Sequence, residues 1–278
     1  MGSTSMALAK LLSDDDPDTI RLVKEQLTVI GEENPSTLQE LVNADDARLS
    51  FHARDVLTHI DGCRAEDDFH LLCLLAGDSF DIEEAVWALS KVIDPSVCVL
   101  PFRDQINDWG SEFLERVACV WDNSERVRLL SEFLGEELEF RGNSVQYYCE
   151  ENSHLPYILE SRMGIPITLT LIYQMVGARA AMKIEGINLP GHFIARHGDV
   201  FFDPFHGGRI LSRADIEQIL ARQDMELKDS HLQSANSRQF LLRILANLLY
   251  VYDLSDEKEK RARIKSWMQV LTGASINP

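Results

Sequence analysis

The chain has 278 residues, 45% of them hydrophobic, which is enough to bury a sizeable core in one or two domains. Its 45 Asp and Glu against 27 Lys and Arg leave a formal charge of −18, which argues against a nucleic-acid backbone or an anionic membrane surface as the main partner, since both require a basic face. No apolar run approaches the roughly 20 residues of a membrane span, so neither nucleic acid nor membrane is expected as a partner.

The opening MGSTSM lacks the apolar stretch of a signal peptide and reads as a cloning remnant, residues 1–6, with Met6 as the native start. A helical region is expected over 7–135. Within it, "LAKLLSDDDPDTIRLVKEQLTVIG" and "LQELVNADDARLSFHARDVLTHID" align at an offset of thirty residues: Leu8 with Leu38, Leu12 with Val42, Asp16 with Asp46, Leu27 with Leu57, Ile30 with Ile60. This short repeat of helix pairs resembles a HEAT-type unit, and Asp16-Pro17 fits an N-cap followed by proline at the first helical position. The acidic run Asp14 to Asp16 reads as solvated surface. "DIEEAVWALSKVID" continues the helical spacing through Ile82, Val86 and Leu89, with Trp87 and Trp109 expected in the core. Cys63, Cys73, Cys98, Cys119 and Cys149 form no metal-like spacing; they read as reduced core residues of a cytoplasmic protein.

Residues 136–211 differ in character. "HFIAR" and "VFFD" alternate as two short strands, with a two-residue turn expected at His197-Gly198. That turn pairs Arg196 with Asp199 and sets His192 directly opposite Asp203. Such a pair is either a histidine oriented as a general base or a polar pair at the sheet margin. The remaining residues, 212–278, carry a Ser212 to Asp215 capping-box spacing and a closing helical hairpin whose basic face answers the acidic body.

"NSHL", "RMGIPITLTLIY", "LPGHF" and "FFDPFHGG" occur in that order between Asn152 and Gly208. In this order they resemble the transglutaminase-like superfamily and, within it, the bacterial SirB family; the closing hairpin resembles that family's tetratricopeptide-like tail. The resemblance implies an α+β fold, mostly helical, with a small papain/transglutaminase-like core containing an antiparallel sheet. It also implies a catalytic cysteine at a helix start, facing a histidine and an aspartate. His192 and Asp203 match the latter two, but the triplet corresponding to Gly-x-Cys is Gly164-Ile165-Pro166. Proline has neither a nucleophile nor an N–H, so acyl transfer through this position is excluded.

Two other nucleophiles come into question. Cys149 stands in the loop "YYCEEN", and Thr168 either turns its hydroxyl toward His192 or bonds a preceding carbonyl. Asn152 and Ser153 read as helix caps or as ligand contacts, and Arg162 as a helix-end residue or an anion clamp. His206 could join His192 and Asp203 as a metal set, but with no further ligand at a productive spacing, neither a metal nor a cofactor is expected. The preferred expectation is a non-catalytic protein that binds a protein or peptide in the degenerate cleft. The alternative is a hydrolase or acyltransferase acting on amide bonds through His192-Asp203, with Cys149 or an activated water as nucleophile.

Overall fold

The computed structural model describes residues 11–12, 16–77 and 80–273. The expected remnant at 1–6, Leu8 of the aligned repeat, and Asp14 and Asp15 lie outside them. The chain divides into two compact units, Met1–Phe69 with Asp94–Val97, and His70–Ile93 with Cys98–Pro278.

In the first unit, α1 (Pro17–Glu33), α2 (Pro35–Val42) and the start of α3 (Ala47–Leu75) enclose Leu12, Val23, Leu27, Leu38, Leu41, Ala53, Val56 and Ile60. The aligned aspartates both act as caps. Asp16 accepts from the Thr19 amide at 3.0 Å, and Asp46 accepts from the Arg48 and Leu49 amides at 2.9 and 3.0 Å. Each thereby satisfies donors that a helix start leaves unpaired. Gly31 permits the close approach of α1 to its neighbours, because a β-carbon there would come within 2.9 Å of Leu38 and Ile60.

The second unit adds α4 (Ile82–Ile93), α5 (Leu100–Val117), α6 (Asn123–Ser131) and a π-helical turn, Glu132–Glu137, to the core. The helices α4 to α6 thus belong to the same compact unit as the core. Aromatic packing explains it: Trp109 meets Phe140 at 5.8 Å and Phe113 stacks on Phe133 at 5.6 Å. Gly110 lets α5 lie against the helix that carries Arg179, whose side chain a β-carbon would meet at 2.3 Å.

That helix, α8 (Pro166–Arg179), is preceded by α7 (Leu155–Ser161) and by the two-residue parallel strands β1 (Arg141–Gly142) and β2 (Met163–Gly164). It is buried from Pro166 to Tyr173 and is apolar all round, which suits an element covered on every side. One cover is an antiparallel meander in the order β3 (Ile184–Leu189), β4 (His192–His197), β5 (Val200–Asp203) and β6 (Arg209–Leu211), with Tyr173 against Phe202 at 5.7 Å. After α9 (Arg213–Ala221), whose Ser212–Asp215 capping box forms in both directions, α10 (Ser237–Leu254) and α11 (Lys258–Thr272) make the closing hairpin. Lys260 of α11 meets Glu150 at 3.1 Å and Arg261 meets Asp253 at 2.7 Å.

The β4–β5 register corrects the expected one by two residues. His197 pairs with Val200, Arg196 with Phe201 and Ala195 with Phe202, so the turn is Gly198-Asp199. Gly198 alone takes a positive φ, +59°, as the first central residue of a type II′ turn requires. His192 and Asp203 are consequently diagonal neighbours rather than directly opposed. A shift of two preserves the face, because side chains alternate with period two.

The cysteines also differ from expectation. All five are free, but only Cys73 is buried, whereas Cys63, Cys98 and Cys119 are exposed. Helical spacing alone did not reveal which face each occupies. Among the described residues no helix is long and apolar enough to cross a membrane.

Candidate functional site

Asp203 ends β5, and Pro204 starts a single 3-10 turn, Pro204–His206. Residues three apart eclipse in such a turn, so the side chain of His206 returns over Asp203. His192 begins β4 after the Pro190-Gly191 corner, where Gly191 has φ +75°. The three side chains meet at one atom: Asp203 Oδ2 lies 2.8 Å from His192 Nε2 and 2.8 Å from His206 Nδ1. The other carboxylate oxygen, Oδ1, accepts the Phe205 N–H at 3.0 Å. Gly207 and Gly208, both at positive φ, close the turn, and the Gly208 N–H donates to the Asp203 carbonyl at 2.8 Å.

Asp203 is 1% exposed. Burial works against its ionisation, but the hydrogen bonds and charges of His192 and His206 outweigh that, and its carboxyl lies below the usual value. An ionised carboxylate only accepts, so His192 Nε2–H and His206 Nδ1–H donate to it. In the neutral rings this leaves lone pairs on Nδ1 of His192 and Nε2 of His206. Behind the carboxylate the Tyr173 hydroxyl is fully buried without a hydrogen-bond partner among the described residues, and burial together with the negative charge of Asp203 raises its pKa.

In front of the triad lies an open space of about 490 Å³, bordered by His192, Phe205, His206 and Arg209 and, from α9 and its C-cap, by Gln218 and Arg222. The α9 residues were not singled out from sequence. Nothing in their local pattern distinguishes them from an ordinary helix surface. The pairing of His206 with Asp203 was legible in principle, through the Asp-Pro-x-His spacing.

The other sequence candidates stand elsewhere. Pro166 is buried at the first position of α8 and does not line the open space. Thr168 is buried and bonds Ile165 both ways at 3.2 Å, accepting its N–H and donating to its carbonyl, so the hydroxyl is engaged in capping α8. Cys149 donates to the Gln146 carbonyl at 3.3 Å, and burial leads the effects that push its thiol up. That is the reverse of what activates a nucleophile.

Asn152 and Ser153 are buried in a 3-10 turn, Glu150–Ser153, and do not cap α7, whose N-cap is His154. The Asn152 amide instead donates to the Gln146 and Tyr147 carbonyls at 2.7 and 2.9 Å and ties the preceding loop. Arg162, at φ +61°, lays its guanidinium 4.5 Å from the Trp109 ring and 5.0 Å from Phe140. It thus ends α7 as its C-cap, stacks half-buried on two core rings, and does not line the open space.

Comparison with known proteins bears on the same stretch. Over 148 residues the chain is 32% identical to a UPF0162 protein of Xylella fastidiosa strain 9a5c, covering 50% of this chain and 53% of that one. A UPF0162 protein of Pseudomonas aeruginosa is 28% identical over 201 residues, 66% of this chain and 69% of its own. Human F-box only protein 21 is 25% identical over 143 residues, 45% of this chain but 22% of that protein. The chain spans about half the length of the Xylella relatives it matches. No solved structure matches it. The transglutaminase-like superfamily matches residues 101–246, from the helices that pack on the core through the sheet and into α10, and since this is more than half of the chain, the protein belongs to that superfamily.

Proposed function

We propose that this is a non-catalytic transglutaminase-like protein whose former active-site cleft binds a protein or peptide segment. The observation that carries the reading is the lining of the cleft. None of the residues bordering the space before His192 carries a thiol or an aliphatic hydroxyl, the position matched to the family's cysteine is Pro166, and the thiol of Cys149 is pushed up by burial. A cleft of this size, with His192, His206, Arg209, Arg222, Gln218 and Gln223 at its rim, suits the carbonyls and carboxylates of an extended chain. Affiliation with the SirB family, a HEAT-type character of α1 to α3, a tetratricopeptide-like closing hairpin and a cytoplasmic location belong to the same reading.

A second reading rests on the Asp203–His192 hydrogen bond itself, which is the arrangement that orients a general base. In it, His192 activates a water for hydrolysis of an amide. Peptides selected from a random displayed library on the wild-type protein separate the two readings. Binding that disappears in His192→Trp, which fills the cleft, with no cleavage of the bound peptides, is the expected result. Peptides that bind both forms equally would remove the binder reading, and cleavage lost in His192→Ala would establish the hydrolase.

A further inference from the structure

His192, Asp203 and His206 each present a donor atom within 4.8 Å of the others. We propose that they hold a divalent first-row transition ion, with Zn2+ as the natural probe, at the floor of the cleft. Two imidazoles and one carboxylate form a nitrogen-rich set that suits zinc and its neighbours, whereas calcium and magnesium select oxygen. In a tetrahedral zinc shell donors stand about 3.3 Å apart; each histidine nitrogen is already 2.8 Å from Asp203 Oδ2, and the two nitrogens, within 4.8 Å of one another, close on the ion as it binds.

The surroundings hold the ligands in place. The Phe205 N–H fixes the carboxylate through Oδ1, and Asp203 and His206 are locked in one turn closed by Gly208, which packs on Ser131. A neutral ring moves its proton to its outer nitrogen and the inner one becomes the donor, whereas a charged ring gives up one proton to the solvent. One carboxylate leaves a divalent ion with a net positive charge, and the coordination positions facing the open space accept a water or the carboxylate oxygen of a bound ligand. The inference does not rest on the peptide reading, because its test needs only the protein and the ion.

Calorimetric titration of Zn2+ into the chelator-treated full chain is expected to give one ion per chain. Binding should weaken at least tenfold in His192→Ala and in His206→Ala. Because the His206 side chain is 60% exposed, its removal opens no core, and circular dichroism will verify the fold of both variants. His59→Ala is the control, since His59 Nε2 and Cys63 Sγ lie 3.9 Å apart on one helix face and offer zinc another resting place. Binding should survive it. Titration with Co2+ should produce visible absorption without the thiolate charge-transfer band that a cysteine ligand brings. No saturable binding, undiminished affinity in His206→Ala, or a loss that follows His59 instead would each overturn the assignment.

Discussion

Cysteine chemistry at the residue scale follows from exposure. Burial pushes the Cys73 thiol up to about 12 and raises that of Cys149, whereas Cys63, Cys98 and Cys119 face solvent. Only the thiolate reacts, so iodoacetamide near neutral pH should label the three exposed residues first, Cys149 more slowly, and Cys73 only on unfolding. Peptide mapping by mass spectrometry reads that order, and rapid His192-dependent labelling of Cys149 would restore it as a nucleophile. Arg162 makes a separate case. Its guanidinium covers two buried aromatic rings while its backbone is left-handed, so Arg162→Ala should cost about 1–2 kcal/mol in urea unfolding. An unchanged midpoint would mean that the stack contributes nothing net.

At the scale of elements, the turn from Asp203 to Gly208 and the β3–β4 ladder carry the site. Gly208 sits at φ +76° with a β-carbon position 2.1 Å from Ser131 Oγ, so Gly208→Ala should destabilise by roughly 2–3 kcal/mol. It should also displace His206, which shows as a changed imidazole resonance by NMR. Across the ladder Glu185 pairs directly with Arg196, with a hydrogen bond of 2.7 Å. The hydrogen bonds from Lys183 and Arg196 hold the Glu185 carboxyl below its usual value. A lowered folded-state pKa gives stability that is present above the unfolded value of 4.5 and is lost as pH falls through the folded one. Glu185→Gln should therefore cost about 0.5–1 kcal/mol at pH 7 and nothing once the carboxyl is protonated in both states. Urea melts across that range test it, and an equal loss at both ends would assign the effect to packing.

On the scale of the whole molecule, the charge of −18 sets what the surface attracts. The two arginines in the cleft, Arg209 and Arg222, are local and do not form a basic stripe of the kind that tracks a phosphate backbone. The protein should leave a DNA duplex unshifted in a gel at about 0.15 M salt. A salt-sensitive shift would reveal a basic face that the net charge conceals.

Sequence alone determined the class of fold, the start of α8 at Pro166, the caps at Asp16 and Ser212, and the nearness of His192 to Asp203 on one face of the sheet. Each of these rests on local chemistry: a ring that fixes φ, a side chain that reaches an amide three residues on, or motifs in a fixed order. Tertiary structure decided the rest. The β4–β5 turn moved by one residue because Gly198, and not His197, takes the positive φ. Arg162 turned onto Trp109, fifty-three positions earlier in the chain, where no local pattern could place it. His206 met Asp203 across a 3-10 turn whose form depends on Gly208 fitting against Ser131, and α9 closed the cleft with residues that look like any helix surface. Spacing along a chain reports which groups share a face; only packing reports what that face meets.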